Sequence, residues 1–367
     1  MLIGPNKSGK SSFLDALQFI CHAITLGDIA KPLDDRGGFA SVFWRGKQFT
    51  KLRESDFIEF EMSGEVEREG SSPFGFAYGL SFSGDLSGRV FIKQEVLSAT
   101  VDDTRRELIR IENGAGVARR LDGTQLFANP GSRTKPALSY DIPGWEAGIV
   151  KQFVVGWHFF NFIPQLAKTM SNTSAAVGSL DIHGSNLSSW LHTLQSNFPD
   201  EFQRIAKVAA DAFPEIESLG TLVTQAGTTF LTLREKDLQS AVPIFQASDG
   251  ELKFLMLVSL LYSPFGVGFI CIEEPENHLH PRLLSMLVEL ANQRRQELQG
   301  RASQVIVATH SPYLVDLLDP EDIVLVYKQG GETVCGRPSS ADELRKLLRE
   351  TETTLGRLWF SGSLGQV

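Results

Sequence analysis

Only three cysteines occur in the chain, Cys21, Cys271 and Cys335, too few and too scattered for a disulfide framework. That scarcity fits a reducing compartment, and a cytoplasmic protein is expected. A basic region followed by an apolar run is absent from the first residues, so no signal peptide is expected. Long apolar runs are scarce too. The stretch from Phe254 to Ile272 has no charged residue, but Pro264, Gly266 and Gly268 interrupt it. It reads as a buried helix, Leu252 to Tyr262, followed by a short buried strand, Val267 to Ile272, and no membrane association is expected. Positive charge is in deficit: the formal net charge is −9, which argues against a surface coated for nonspecific nucleic-acid binding. Two local basic clusters remain, Lys31 to Arg53 and Arg105, Arg106, Arg110, Arg119 and Arg120, and both read as solvated faces. There is no internal repeat and no sustained heptad run.

What is present is an α/β rhythm at both ends of the chain. Leu2–Ile3 is the stub of a strand, and Ser12 to Ile24 reads as a helix with Phe13, Ala16, Leu17 and Ile20 on one face. Between about Phe57 and Phe127 short runs alternate, as in Phe74, Phe76, Tyr78, Leu80 and Phe82, with Asp122-Gly123 as a hairpin turn; this is antiparallel sheet. Asn186 to Phe213 is helical, with Pro199 opening a second helix, and Thr229 to Arg234 alternates like a strand. Beyond Ser248 the order is helix, strand Phe269–Ile272, helix Leu283–Leu298, strand Gln304–Ala308, helix Tyr313–Leu318, strand Ile323–Tyr327. That order implies a parallel sheet, drawing strands from both ends of the chain.

Residues 4–11, Gly-Pro-Asn-Lys-Ser-Gly-Lys-Ser, match the phosphate-binding loop G-x4-G-K-[ST]. Its glycines let backbone N–H groups turn toward a β-phosphate, and the next helix points its positive end there. Lys10 is expected to reach the β- and γ-phosphates, and the Ser11 hydroxyl to ligate Mg2+. The apolar strand Phe269–Ile272 runs into Glu273 and Glu274. A buried strand ending in acids puts charge at the edge where a parallel sheet opens, beside the phosphate loop. Glu273 would serve the Mg2+ shell and Glu274 would polarise an attacking water. The strand at Gln304 leads to His310, 36 residues after Glu274 (310 − 274) and one helix and one strand later, hence at the same edge. Ser248-Asp249-Gly250-Glu251 opens the next helix. A plain helix cap is one reading. An anion-binding terminus aimed at a γ-phosphate is the other.

These four motifs, in this order, resemble the ABC-type ATPase heads, and most of all the RecF, SMC and OLD-like group of stand-alone predicted AAA-family ATPases. The likeness rests on the phosphate loop, the Ser-Asp-Gly-Glu signature, Glu-Glu-Pro-Glu-Asn-His-Leu-His-Pro after the second strand, Ala-Thr-His-Ser-Pro, and the closing segment Leu355 to Gly362. It implies an α/β P-loop NTPase head: a mixed sheet with an antiparallel β subdomain and a helical insertion. Its parts would be a phosphate-loop part (1–50), an antiparallel β-rich lobe (51–165), a helical insertion (175–220) and a lobe carrying signature, Walker B and histidine switch (221–367). It implies ATP and Mg2+ as ligands, with Gly4, Pro5, Asn6, Lys7, Ser8, Gly9, Lys10, Ser11 and Ser12 around the nucleotide. Glu274 and His310 would be catalytic, and Ser248, Asp249, Gly250 and Glu251 would act on the site of the opposite protomer of a homodimer. Asn277 to His280 would cross that dimer interface. Gln165, ahead of Gln48, is the candidate Mg2+-sensing glutamine, and Arg45 the candidate phosphate-approaching arginine. His278 and His280 have no further clustered ligand to make a metal pair.

The chain departs from its relatives in two respects. It lacks the long coiled coils of SMC heads and the acid-rich nuclease domain of OLD proteins. The resemblance therefore implies an ATP-driven switch acting on DNA or on a partner nuclease or other effector, in DNA repair and maintenance or in defence against foreign DNA. A transporter subunit would carry the longer L-S-G-G-Q signature and Asp-Glu at the Walker B strand. A scaffold without turnover would not need Glu274 and His310.

Only Met1, Leu2 and Ile3 precede the phosphate loop, although a strand feeding such a loop usually needs about five or six residues. Flanking strands upstream are expected, and with them an N-terminally shortened start and an unpaired sheet edge. A chain extended to the next in-frame upstream start codon should be more soluble and bind ATP more tightly. Equal solubility and affinity would refute the shortened start.

Overall fold

The computed structural model describes residues 1–364 apart from 47–48, 50, 52, 54–55, 69–70, 86–87, 103, 129–131, 170–171, 266–267, 299–302, 339, 352 and 363. Gln48, Lys47 and Val267 therefore lie outside the described residues. In chain order the first elements are β1 (Leu2–Ile3), α1 (Lys10–Leu26), α2 (Ala30–Asp34) and α3 (Phe39–Val42). The strands β2 (Ile58–Arg68), β3 (Ser71–Gly84), β4 (Val90–Val101), β5 (Thr104–Glu112), β6 (Ala115–Arg119) and β7 (Gln125–Ala128) come next. Then follow α4 (Ala147–Val155), β8 (Trp157–Phe160), α5 (Pro164–Thr169), β9 (Asn172–Thr173), α6 (Leu187–Asn197), α7 (Pro199–Ala212), β10 (Ile216–Val223), β11 (Thr228–Glu235) and β12 (Val242–Pro243). The rest is α8 (Asp249–Leu261), β13 (Phe269–Glu273), α9 (Pro281–Glu297), β14 (Gln304–Thr309), α10 (Pro312–Val315), β15 (Val324–Gln329), β16 (Glu332–Gly336), α11 (Ala341–Thr351) and α12 (Leu355–Phe360). They divide into two compact units: Met1–Ser11 with His158–Gln329 and Thr333–Val367, and Ser12–Trp157 with Gly330–Glu332.

The first unit is organised on a six-stranded sheet in the order β16-β15-β1-β14-β13-β8. β1 pairs in parallel with both β14 and β15, and β13 pairs in parallel with β14. The two-residue stub is thus an inner strand, and the sheet edges are β16 and β8. One core of this unit packs Trp190, Leu191, Leu194, Phe202, Ile205 and Ala209 of the α6–α7 insertion against Phe254, Leu255 and Val258 of α8. Helix α8 buries every residue from Leu252 to Ser259, which explains why this stretch is apolar all round but for Lys253 and Ser259. A second core gathers Ile3, Val315, Ile323, Leu344 and Leu355. No described helix is long and apolar enough to cross a membrane.

The second unit is built on the antiparallel sheet β2-β3-β4-β5-β6-β7. Phe74, Phe76, Tyr78, Leu80 and Phe82 of β3 are all buried, as their alternation requires. Helix α1 buries Leu14, Phe19, Ile20, Ala23 and Ile24, whereas Phe13, Ala16 and Leu17 are half-buried. Its apolar face is rotated from the expected one because Phe19 stacks on the sheet, 5.6 Å from Phe60 and 5.2 Å from Phe82. Much of the basic charge in this unit is engaged locally: Arg110 pairs with Glu107 and Glu112, Arg120 donates to the carbonyls of Pro143 and Gly144, and Arg36 clasps Asp15.

Glu95 is buried in the middle of β4. Its Oε1 accepts from Tyr78 Oη at 3.0 Å and the Leu138 amide at 2.9 Å, and its Oε2 accepts from the Ala137 amide at 2.6 Å. Burial pushes its pKa up from 4.5 to about 7, against these donors, which favour the ionised form. The sign follows from linkage: the contribution of this carboxyl to stability is fully present below about 4.5 and is lost as pH rises through about 7. Thermal midpoints measured from about pH 5 to about pH 8 should fall, and Glu95→Gln, which cannot titrate, should flatten that fall. An unchanged slope would mean that Glu95 does not titrate in this range.

Candidate functional site

The register of three neighbouring strands sets the site. Leu2 and Ile3 of β1 lie opposite Ala308 and Thr309 of β14, and Glu273 of β13 lies opposite Ala308. The residues that follow, Gly4, His310 and Glu274, therefore leave the sheet at one edge, Glu274 one residue short of the level shared by Gly4 and His310. The Glu274 amide makes this register explicit by donating to the Ala308 carbonyl at 2.9 Å.

From Gly4 the chain turns at once, and the Ser8 amide donates to the Pro5 carbonyl at 3.2 Å. Lys7 and Gly9 adopt left-handed backbone, with φ of 64° and 113°. A Cβ at Gly9 would collide with Thr333, whose Oγ1 donates to the Ser8 carbonyl at 3.1 Å, so only glycine fits there. Lys10 closes the turn, its Nζ donating to the carbonyls of Gly4 at 2.7 Å and Pro5 at 3.2 Å. Burial pulls this ammonium below its usual pKa, while Glu274, Glu276 and Glu273 pull the other way. The net effect leaves a buried cation beside a cluster of carboxylates. Asn6 and Lys7 are exposed and Ser8 is buried. Ser11 and Ser12 are exposed in the first turn of α1.

On the acidic side, Ser11 Oγ donates to Glu273 Oε1. Asn277 Nδ2 donates to Glu274 Oε2 at 2.8 Å, and His310 Nδ1 lies 3.4 Å from Glu274 Oε1. Glu276 ties the two loops together, its Oε1 accepting from Thr309 Oγ1 at 2.6 Å and from the His310 amide at 3.2 Å. Of the five described non-glycine residues with positive φ, three are Lys7, Glu274 and His278. Such backbone costs on the order of 1–3 kcal/mol per residue and concentrates where surrounding structure over-determines it.

Ser248 caps α8 in a reciprocal box. Its Oγ accepts from the Glu251 amide at 3.2 Å, while the Glu251 carboxylate accepts from the Ser248 amide at 2.6 Å. Ser248 is exposed. A Cβ on Gly250 would come within 2.9 Å of the His278 carbonyl, so α8 starts hard against the segment Asn277–His280. Asp249 pairs with Lys168 of α5 at 2.7 Å and accepts from the carboxamide of Gln165, while His278 Nδ1 is 3.9 Å away. The carboxamide of Gln165 is thus directed to Asp249. His280 caps α9, accepting from the Arg282 amide at 3.3 Å. Arg45 donates to the Ala40 carbonyl and lies over the Phe49 ring, 5.9 Å from its centroid.

Three further residues belong to this arrangement in roles that the sequence reading did not give them. Asn277 and Glu276 lie inside a motif already singled out, but nothing local shows that they brace Glu274 and His310. Lys253 is the third. It is 1% exposed, donates to the Phe162 carbonyl at 3.2 Å, and its pKa is driven down to about 8 by burial against the pull of Glu276 and Glu274. A lone lysine in a helix otherwise apolar all round was the available signal.

The donor chemistry fits a hard divalent cation. Ser11 Oγ and the Glu273 carboxylate, two oxygen donors already in contact, match the few protein ligands that Mg2+ takes alongside phosphate and water.

The profile of a family described as "AAA domain, putative AbiEii toxin, Type IV TA system" matches residues 1–316. No curated protein matches the chain. Among solved structures, an SMC head bound to the C-winged helix domain of ScpA aligns over 93% of this chain and 91% of its own, at 12% identity and a TM-score of 0.47. An SMC head domain from Thermotoga maritima aligns over 92% and 89%, at 11% identity and a TM-score of 0.38.

Replacing Lys10 by Ala removes the buried cation of the loop. Affinity for a fluorescent ATP analogue should fall on the order of 100-fold. Unchanged affinity would exclude the loop as the phosphate site.

Proposed function

Since the chain belongs to this AAA family, described with a putative AbiEii toxin and a type IV TA system, we propose that it is an ATP-hydrolysing switch whose two composite sites form when two copies meet head to tail. The family match covers residues 1–316 with an AAA-type P-loop ATPase domain. The observation that carries this reading is the ending of β1, β13 and β14 within one residue of each other, which brings Lys10, Ser11, Glu273, Glu274 and His310 to one edge, while the exposed cap at Ser248 belongs to a different helix.

In this reading Gly4 to Ser12 wrap the β- and γ-phosphates of ATP through backbone amides, and Lys10 turns from its own carbonyls to the phosphate oxygens. Ser11 and Glu273 would hold Mg2+, which supplies charge neutralisation at the β- and γ-phosphates when bound. Glu274, oriented by Asn277, aligns a water on the γ-phosphorus and accepts its proton. The new P–O bond forms as the bond to the β-phosphate oxygen breaks, and ADP leaves with that electron pair. His310, positioned by Glu276, stabilises charge on the departing γ-phosphoryl group. Ser248, Asp249, Gly250 and Glu251 of the second copy complete the site: the Ser248 hydroxyl proton and the N-terminal amides of α8 would face the γ-phosphate. Hydrolysis then releases the two heads.

What the switch drives is inferred from chemistry and kinship together. The setting we propose is DNA repair and maintenance or defence against foreign DNA, acting through DNA or a partner nuclease or other effector, on the likeness of the motifs to ABC-type heads. The short Ser-Asp-Gly signature and the Glu273-Glu274 pair weigh against a transporter subunit. The braced Glu274–His310 pair weighs against a scaffold without turnover.

Glu274→Gln should bind ATP, lose turnover and accumulate as dimers in ATP, read by phosphate release and light scattering. Chains carrying Lys10→Ala and chains carrying Ser248→Arg should each be inactive, yet their mixture should regain part of the activity through one intact site per dimer. A monomer with full ATPase activity under saturating ATP would overturn the composite site.

A further inference from the structure

An aspartate is an unexpected residue for the middle of a phosphate-receiving helix end. Asp249 sits between Ser248 and Gly250 at the first position of α8, where amide groups and an incoming γ-phosphate would face each other. Left alone, its carboxylate would repel that phosphate and compete for the same amides. It is not left alone. Lys168 Nζ lies 2.7 Å from Asp249 Oδ1, and both side chains are largely shielded, 22% and 29% exposed. The Gln165 carboxamide donates to Oδ2, one turn earlier on α5. The other charged groups at this helix end are occupied or weaker. Glu251 is committed to the Ser248 amide, and His278 Nδ1 stands 3.9 Å from Oδ2. Lys168 is therefore the full positive charge closest to Asp249 among the described residues, and it holds the carboxylate toward α5.

We propose that Lys168 is a positioning residue of the composite site: by neutralising Asp249 and drawing it onto α5, it makes the start of α8 acceptable to the γ-phosphate carried by a second copy. This rests on the reading of a site shared between two copies. Lys168 touches neither nucleotide nor reacting atoms in this scheme; it acts through Asp249. A consequence follows for Gln165. Its carboxamide is tied to the same carboxylate, so α5 and the signature form one electrostatic unit in each protomer.

The test is a double-mutant cycle on the full chain, read as the protein concentration needed for half-maximal ATP-dependent dimerisation. Lys168→Gln should raise that concentration about tenfold or more, because an uncompensated carboxylate then meets the phosphate. ATP affinity at protein concentrations below dimerisation should stay within about twofold of wild type, since Lys10 and its loop are untouched. In an Asp249→Asn background the effect of Lys168→Gln should vanish, because no charge remains to neutralise. Lys168→Arg, which keeps the charge, should behave like wild type. If Lys168→Gln weakens dimerisation equally in both backgrounds, Lys168 acts only by packing α5 and the proposal falls. It falls too if Lys168→Gln dimerises normally. Ser248→Arg separates the two levels: normal dimerisation of that variant removes the shared site itself, whereas its failure beside a normal Lys168→Gln removes only the role of Lys168.

Discussion

The parallel pairing of β1 with β14, and of β14 with β13, is the constraint on which the candidate site depends. Because Ile3 is opposite Thr309 and Glu273 is opposite Ala308, three loops of unrelated sequence start within one residue of each other at one edge. A shift of one residue in any of these pairings would move a strand end by about 3.3 Å and turn its side chains to the other face. The Lys10 loop, the Glu274 carboxylate and the His310 ring would then no longer share an edge. The register is held from beneath by Ile3, Val315 and Ile323, all fully buried, so hydrophobic packing sets the accuracy of a polar site.

Around that edge the polar residues form a chain of mutual restraint. Glu276 fixes the backbone of His310, Asn277 fixes Glu274, and Gly250 presses on the carbonyl of His278, which belongs to the same turn. The left-handed backbone at Glu274 and His278 is the local cost of making so sharp a turn after β13. Two buried lysines with different duties frame it. Lys10 faces the loop carbonyls of Gly4 and Pro5. Lys253 anchors α8 to the Phe162 carbonyl, two residues before α5, and so links α8 to the helix that carries Gln165 and Lys168.

In the second unit a different balance operates. A carboxyl group, Glu95, sits inside an aromatic-rich sheet and is satisfied by two backbone amides and a tyrosine hydroxyl. Those amides begin a single turn at Ala137–Ser139, so Glu95 works as an internal cap that fixes a connection to β4. Buried polar groups of this kind specify one arrangement because every alternative leaves a donor unpaired.

The positions of the motifs at strand and helix ends and the local periodicity were legible in the residues themselves. The glycine–lysine loop, the strand ending in two glutamates, the strand ending in histidine, the serine cap and the alternating run of β3 each depend on neighbours a few positions apart. The strand and helix types therefore followed from the sequence to within a few residues. The apolar face of α1 did not, because its rotation depends on where Phe60 and Phe82 stand on a sheet formed by later residues. Nor did the direction of Gln165, the brace at Glu276, or the pairing of Lys168 with Asp249, which spans 81 residues (249 − 168). Pairings at that distance carry no periodic trace in the sequence. They exist only once sheet register and core packing have brought two surfaces together, and a charge selects its partner by proximity in space.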